Sequence, residues 1–204
     1  MTDSLLDSVN KGILGLKPYE PGKPIDETQK ELGIKNIIKL VSNENPLGIS
    51  PKALKVIFEN KDLNRYPDGN ATSFKEVVSQ MEKIETSMIT VGNGSNDLIE
   101  FVSKCFLSEG DNAIYSQHGF AIYPLAIKST GAKAIKAKAR DWGHDLNLMK
   151  DLVDENTKVI FLATPNNPTG TVLESNVVEE FLDAIPSNIA VFIDPVSYTH
   201  LTLP

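Results

Sequence analysis

Short apolar runs alternate with amphipathic stretches from residue 88 to residue 194. The apolar runs predict strands, at 88–91, 113–115, 134–137, 159–162 and 189–193. The stretches between them carry apolar residues at helical spacing, at 97–107, 121–129, 148–153 and 174–184. Strands that alternate with helices in this way form βαβ units with right-handed crossovers. The pattern therefore predicts an α/β fold with a mainly parallel sheet and helices on both of its faces.

The first 36 residues are irregular by comparison and predict an N-terminal arm that lies on another surface. Gly and Pro interrupt this segment repeatedly, which leaves room for one short helix at 5–11. Tyr19 is the residue of interest in the arm, either as a packing aromatic or as part of a site. After the arm, a short strand is predicted at 37–40. Two amphipathic helices follow it, the first capped by Ser50 and the second at 73–84.

Composition limits the function classes that this chain can belong to. Its 204 residues, 41% of them hydrophobic, suffice for one domain with a real core. The net charge of −7 argues against a nucleic-acid surface, because no basic stripe is available to neutralise phosphates. One cysteine, Cys105, excludes an internal disulfide framework and a Cys-based zinc cluster. The start of the chain lacks a signal-peptide pattern and no apolar run reaches membrane-spanning length, so we expect a cytoplasmic protein without a metal site.

A turn rich in Pro and Asn, ATPNNPTG at 163–170, follows the predicted strand at 159–162. Two prolines and a glycine prevent the strand from continuing and prevent a helix from starting. In an open α/β sheet, ligands bind at the edge formed by the carboxyl ends of the strands. Asn167 therefore stands either at a ligand site or in an ordinary Asn-Pro turn.

A glycine-rich segment, GNGSND at 92–97, connects a predicted strand to a predicted helix. Glycines allow close approach of a ligand, and the first-turn N–H groups and the helix dipole attract an anion. Gly94, Ser95 and Asn96 would form such a phosphate cradle; the alternative is a helix entered through glycine with Ser95 as its cap. Asp97 stands where a dinucleotide fingerprint requires its third glycine, which counts against a nicotinamide cofactor.

Two further candidates follow predicted strands at the same edge of the sheet. Phe120 lies beside His118 in the loop after 113–115, where an aromatic ring either stacks on a planar cofactor or packs at the rim of the core. Asp194 ends the strand at 189–193, where its carboxylate either holds a protonated ring nitrogen or caps the following loop. His118 alone indicates neither a metal ligand nor a base.

Five motifs together resemble the fold-type-I pyridoxal 5′-phosphate (PLP) aminotransferases, and more narrowly the histidinol-phosphate aminotransferase family. They are PYEPGKP at 18–24, LVSNENPLG at 40–48, RYPDG at 65–69, GNGSND at 92–97 and TPNNPTG at 164–170. The resemblance implies the PLP-dependent transferase fold of aspartate aminotransferase, here with an incomplete sheet. It also implies transfer of an amino group between histidinol phosphate and 2-oxoglutarate in histidine biosynthesis.

The resemblance assigns roles to individual residues around PLP. Gly94, Ser95 and Asn96 would hold the phosphate of the cofactor. Phe120 would stack on the ring, at a position where the family usually has Tyr. Asn167 would bond the phenolic oxygen and Asp194 the pyridinium nitrogen. In a homodimer, Tyr66 would reach the partner's cofactor phosphate, and Tyr19 would help to cover the substrate.

The match stops abruptly after Asp194, where the family continues Glu-Ala-Tyr and this chain reads Pro195-Val196-Ser197. We therefore expect an arm at 1–36, the N-terminal part of the PLP-binding large domain at 37–194 and a non-family tail at 195–204. The family's Schiff-base lysine falls beyond this point, so no catalytic residue is assigned. We expect an N-terminal fragment that is inactive alone and whose sheet leaves an apolar edge open.

Other functions share parts of this pattern. Threonine-phosphate decarboxylases and aromatic aminotransferases of the same fold carry most of these motifs. From a different class, the glycine segment alone is compatible with a nucleotide- or NAD-binding module. A non-catalytic fragment without a ligand is the remaining alternative.

Overall fold

A computed structural model of the chain describes residues 8–19, 22–40, 42–45 and 47–195. The chain divides into two compact units, one comprising Met1–Tyr19 with Gly92–Pro204 and the other Glu20–Val91. The predicted division into an arm, a large domain and a tail, with boundaries at residues 36 and 194, stays a prediction.

The first unit contains a sheet whose four described strands are all parallel. The strands are β1 (Asn112–Ser116), β2 (Lys133–Ala137), β3 (Thr157–Ala163) and β4 (Ala190–Asp194), in the spatial order β2-β1-β3-β4. Chain order reverses between β1 and β3, which makes their boundary the topological switch point of the sheet. The α/β fold with a mainly parallel sheet is therefore confirmed.

Helices cover both faces of this sheet, as the alternation along β3 requires. Val159, Phe161 and Ala163 pack into one cluster with α5 (Ser95–Phe106) and α6 (Ile122–Ser129). Ile160 and Leu162 pack into the other with α7 (Leu146–Asp151) and α8 (Ser175–Ala184). Because apolar side chains point to both sides, β3 is buried along nearly its whole length.

The direction of α5 places its first turn at the carboxyl edge of the sheet. The helix ends at Phe106 and a short connection leads into the amino end of β1. Its 12 residues rise about 18 Å along the axis, roughly the length of a strand. Ile99 anchors the helix in the core cluster beside Phe161. The glycine segment before α5 therefore lies on the side where β3 and β4 end.

A short helix, α1 (Lys11–Leu14), packs against the C-terminal end of α6 within the same unit. The side chain of Asn10 caps α1 and also donates to the carbonyl oxygen of Ser129, 3.2 Å away. The sequence predicted a helix at 5–11; residues 5–7 lie outside the described residues, and residues 8–10 are not helical. The helix that the structure does contain begins where the predicted one was to end.

The second unit contains α2 (Ile25–Leu32), α3 (Pro51–Glu59), α4 (Thr72–Glu82) and a 3₁₀ turn at Thr86–Met88. The strands predicted at 37–40 and 88–91 are wrong. An apolar run forms a strand only where a neighbouring strand satisfies its backbone, and the described part of this unit contains none. Leu40, 93% exposed, illustrates the lack of a partner.

Helix α2 also departs from prediction, because the sequence favoured an irregular arm there. Asp26 and Glu27 lie in its first turn and Gly33 ends it in the left-handed conformation, both of which favour a helix locally. Ser50 precedes α3 as predicted but its side chain makes no capping bond. Of the helices that the structure describes, none has the length and apolar character that crossing a bilayer requires.

Candidate functional site

The candidate site lies where β1, β3 and β4 end at the switch point of the sheet. Ala163 pairs with Asp194 in the last register position of β3 and β4, so these two strands end level. The loop after β1 begins at Gln117 on the other side of β3. Three chain segments that are far apart in sequence thus meet along one edge, as the sequence predicted for its candidate residues.

Asn166 connects the turn after β3 to the loop after β1. Its side-chain nitrogen donates to the carbonyl oxygen of His118 at 3.0 Å and to the hydroxyl of Thr169 at 2.7 Å. The residue is 2% exposed. Its backbone also bonds Thr171 and Gly170, which closes the turn on itself. A buried side chain with these bonds fixes the position of both segments at once.

Asn167, the next residue, is only half-buried. Its side chain makes no hydrogen bond with any residue that the structure describes. The adjacent Asn166 holds the turn, and Asn167 therefore keeps an amide available for a ligand. Both peptide bonds that precede the prolines of this turn, Thr164-Pro165 and Asn167-Pro168, are cis.

Asp194, at the end of β4, is hydrogen-bonded to a tyrosine of α6, the helix that follows the loop after β1. The hydroxyl of Tyr123 in α6 donates to Oδ2 of Asp194 at 2.7 Å. The tyrosine is completely buried and the aspartate is 4% exposed. Burial, together with the hydrogen bond and the negative charge of Asp194, raises the pKa of Tyr123, so the phenol remains a donor at neutral pH.

The ring of Tyr123 is itself held by two phenylalanines. It stacks on Phe161 of β3, with ring centroids 5.0 Å apart, and meets Phe120 edge-on at 5.9 Å. Phe120 is half-buried at the start of α6, so one side of its ring faces the core. The structure thus brings Phe120 and Asp194 together, with Tyr123 as the group between them.

The first turn of α5 has the geometry of an anion cradle. Gly94 is the N-cap, with φ 86° and ψ 175°, a conformation that is essentially restricted to glycine. Ser95 is the first helical residue and does not cap the helix, so that alternative for Ser95 is wrong. Asp97 accepts from the backbone N–H of Asn93 at 2.7 Å, and Asn96 is exposed. The first N–H groups of such a helix lack intrahelical partners.

A hairpin at 140–143 and the histidine that follows it contact the loop after β1 and the end of β3. Trp142 at its tip lies 4.9 Å from the ring of His118, centroid to centroid. His144, just beyond the hairpin, lies with Nε2 2.7 Å from the carbonyl oxygen of Ala163, the last residue of β3. Burial lowers the pKa of His144, which favours the neutral ring. Carbonyl oxygen accepts only, so Nε2 carries the proton.

A separate cleft of about 370 Å³ lies between α7 and α8. Its apolar lining includes Leu146 and Phe181, which pack on the other face of the sheet from Tyr123. His144 lines the cleft, but none of the residues that the sequence predicted for the site does. The cleft therefore does not coincide with the edge where Phe120, Asn167 and Asp194 lie.

The structure shows no contact of the remaining predicted residues with the site among the described residues. Tyr19, within the predicted arm, is 51% exposed. Tyr66 belongs to the second unit and is 99% exposed. Ser197, where the sequence departs from the family pattern, lies outside the described residues. The roles assigned to these tyrosines stay predictions.

Sequence reasoning did not identify Tyr123, Asn166 or His144 as site residues. Tyr123 follows Phe120 by three residues, a spacing that places both side chains on one face of a helical turn. A tyrosine within the otherwise apolar start of α6 was the available signal, because a buried hydroxyl needs a partner. Asn166 and His144 gave no comparable signal, since their partners are backbone carbonyls distant in sequence.

Comparison with sequence families gives one match that covers most of the chain. The profile of the aminotransferase class I and II family matches residues 35–200. Histidinol-phosphate aminotransferase 2 of Pseudomonas fluorescens is 45% identical over 197 residues, which are 95% of this chain and 53% of that protein. Histidinol-phosphate aminotransferase 1 of Mannheimia succiniciproducens is 46% identical over 98% of this chain and 54% of its own length. The chain thus spans about half the length of the curated relatives it matches.

Solved structures support the fold. Histidinol-phosphate aminotransferase from Sinorhizobium meliloti, in complex with pyridoxal-5′-phosphate, superposes with a TM-score of 0.81 at 21% identity, over 91% of this chain and 50% of that one. Alanine aminotransferase from Pyrococcus furiosus superposes with a TM-score of 0.69 at 21% identity, over 82% and 46%. The predicted resemblance of the fold is therefore confirmed.

Proposed function

Because the chain belongs to the aminotransferase class I and II family, we propose that its sheet edge is the PLP site of a histidinol-phosphate aminotransferase. The observation that carries the proposal is that the segments bearing Phe120, Asn167 and Asp194 converge at the carboxyl edge of the sheet, where Tyr123 contacts both Phe120 and Asp194 and Asn166 bonds the loop after β1. Relatives that are 45% and 46% identical to this chain bear the name of this enzyme.

The donor set at this edge fits the groups of PLP. An anionic phosphate suits the first turn of α5, where the backbone of Gly94 leaves open space beside its Cα. A phenolic oxygen suits the amide of Asn167, which lacks a partner among the described residues. A ring nitrogen that carries a proton suits the buried carboxylate of Asp194.

Each of the candidate residues has its own role in holding the cofactor or in supporting its chemistry. PLP, when bound, supplies an electron sink for negative charge on the α-carbon of the substrate. The Asp194 carboxylate keeps the proton on the ring nitrogen, and the Asn167 amide stabilises the phenolic oxygen. Ser95 and the N–H groups beside it hold the phosphate. Phe120 covers one face of the ring and excludes water from it.

The substrates and the assembly belong to the same proposal. We infer histidinol phosphate as amino donor and 2-oxoglutarate as acceptor, in a cytoplasmic homodimer. Tyr66 would contact the cofactor phosphate of the partner subunit, and Tyr19 would cover the substrate. We expect this chain to bind the cofactor.

Calorimetric titration of the chain with PLP tests the binding step. We expect saturable binding that Ser95→Ala weakens, because a hydroxyl donor to the phosphate is lost. Ser175→Ala is the matched control, since Ser175 is also the first residue of a helix but lies in α8. In a thermal-shift comparison, stabilisation of the chain by NAD but not by PLP would support the nucleotide-binding alternative and contradict the proposed PLP site.

The substrate requires a second experiment on the complete reading frame, resequenced through codon 194 and beyond. The encoded protein should convert histidinol phosphate with 2-oxoglutarate faster than it converts threonine phosphate or aromatic amino acids. A preference for threonine phosphate, with release of carbon dioxide, would instead establish the decarboxylase.

A further inference from the structure

Tyr123 and Asp194 form a buried pair at the proposed cofactor site. In the roles proposed above, Asp194 contacts the cofactor and Tyr123 does not. The hydroxyl–carboxylate distance of 2.7 Å is that of a charge-assisted hydrogen bond. Both residues are almost fully buried, so water does not compete for the bond.

The tyrosine ring is fixed so that its hydroxyl has one orientation. Phe161 lies against its face, with an angle of 17° between the planes, and Phe120 meets it at 89°. Such packing restricts rotation about χ1 and χ2. The hydroxyl therefore defines where Oδ2 of Asp194 must lie, and with it the plane of the whole carboxylate.

The same short segment also supplies the aromatic face of the site. Phe120 precedes α6 and Tyr123 lies in its first turn, so their relative position is set by local backbone geometry. A displacement of one would move the other. The ring above the site and the carboxylate at its end are thus aligned through a segment of four residues.

We propose that Tyr123 is a positioning residue, which holds the Asp194 carboxylate oriented toward a protonated pyridine nitrogen. This inference rests on the proposed function. The tyrosine remains protonated at neutral pH, because burial and the neighbouring charge raise its pKa. Without its hydroxyl, the carboxylate loses the bond that fixes its orientation.

Two probes distinguish positioning from a structural role. The first is 4′-deoxypyridoxine 5′-phosphate, which keeps the ring nitrogen and phosphate but has no carbonyl and needs no lysine. The second is its carbocyclic counterpart, with CH in place of the ring nitrogen. Only the first probe can pair with Asp194. The change in the ratio of the two dissociation constants between wild type and a variant therefore reports on that pair, because the intrinsic differences between the probes are the same for both proteins.

Calorimetric titration of the 204-residue chain with both probes gives the test. Wild type should prefer the pyridine probe by about tenfold or more, the size of a hydrogen bond to a charged group. Tyr123→Phe keeps the ring packing and should reduce that preference to about twofold. In Asp194→Asn the preference should already be lost, and adding Tyr123→Phe should not change it further.

Tyr115→Phe is the matched control. Tyr115 packs against the same core cluster, and its hydroxyl makes no hydrogen bond with a described residue. Its removal should leave the preference unchanged. Thermal unfolding of each variant, without ligand, establishes that the chain still folds.

The outcomes separate the two proposals. Equal weakening of both probes by Tyr123→Phe would make the tyrosine merely structural and overturn the inference, with the PLP site intact. An unchanged preference in that variant would overturn it as well. Failure of wild type to bind either probe would remove the proposed cofactor site and this inference with it.

Discussion

The side-chain amide of Asn166 lies 3.0 Å from the carbonyl oxygen of His118 and ties the turn after β3 to the loop after β1. This bond crosses the switch point of the sheet, where the two segments would otherwise be independent. The next residue, Asn167, has no such bond and is half-buried. We infer that the two adjacent asparagines have separate tasks, Asn166 in the architecture of the edge and Asn167 at the proposed ligand site.

Alanine substitution should separate these two tasks. Asn166→Ala removes a buried group with two hydrogen bonds and should lower the free energy of unfolding by about 1–3 kcal/mol. Asn167→Ala should change it by less than about 0.5 kcal/mol. It should nevertheless weaken PLP binding several-fold, because the partner of the phenolic oxygen is lost. Urea unfolding and calorimetric titration of both variants measure the two effects.

Each variant serves as the control for the other, since both shorten an asparagine in the same turn. Equal destabilisation by the two substitutions would contradict the assignment, because it would mean that Asn167 also supports the turn.

Gly94 makes a second prediction, which concerns backbone conformation. Its φ of 86° is strained for any residue with a Cβ, although nothing lies within 4 Å of where that atom would be. Gly94→Ala should therefore cost about 1–3 kcal/mol in stability or distort the first turn of α5. PLP affinity should fall with it, because the N–H groups no longer converge on the phosphate.

Gly69→Ala is the control for this substitution. Gly69 also has open space around its Cα, but its φ is not in the left-handed region. If both substitutions had the same small effect on stability and PLP affinity, the left-handed conformation of Gly94 would not be required at the site.

The sequence predicts the sheet well because each strand is buried between helices. Along β3, four successive residues from Val159 to Leu162 are apolar and end in a Pro-rich turn, so both the strand and its end are visible in the pattern. The polar residues that follow strands then mark the edge where Asn167 and Asp194 were expected and lie. For these elements, local patterning and tertiary environment agree.

Other features depend on partners that sequence spacing does not reveal. The apolar residues at 37–40 and 88–91 satisfy a strand pattern, yet the described part of their unit offers no strand to pair with. The bond between Tyr123 and Asp194 joins residues 71 positions apart. It becomes visible only when α6 is laid against β4. Tertiary contacts, rather than propensity, decide both cases.

The packing of the arm gives a third prediction. A Cβ on Gly12 would lie 1.9 Å from the carbonyl oxygen of Lys128 at the end of α6. Backbone cannot yield easily, so Gly12→Ala should detach α1 from α6 and lower the midpoint of thermal unfolding by several degrees. Trypsin should then cleave faster after Lys11.

Gly15→Ala provides the matched control one turn away, where nothing lies within 4 Å and φ is −102°. We expect it to leave the midpoint within about one degree of wild type. Equal midpoints for the two variants would show that α1 does not dock as described.

His144 gives the last prediction, on the dependence of stability on pH. Its Nε2 bonds the carbonyl oxygen of Ala163, and its Nδ1 is buried without a partner among the described residues. Protonation would place an N–H and a charge in that apolar setting, which is why the pKa of His144 lies below its ordinary value of 6.5.

Acid lowers the stability of the fold through His144, because the unfolded state takes up the proton at higher pH than the folded state. Below pH 6.5 the histidine of the unfolded chain is protonated while that of the folded chain stays neutral, so the unfolded state binds more protons and stability falls as pH falls. Above pH 6.5 both states are neutral and this residue has no effect. His144→Gln keeps a donor near Ala163 but does not titrate. It should therefore flatten the decline between pH 6.5 and 5.5 by up to about 1.4 kcal/mol per unit.

Urea unfolding at pH 7.5, 6.5 and 5.5 measures this difference. Parallel declines in wild type and His144→Gln would mean that the buried ring is not the group that makes the fold sensitive to acid. In that case the bond to Ala163 would be structural only, and the carboxyl groups would carry the pH dependence.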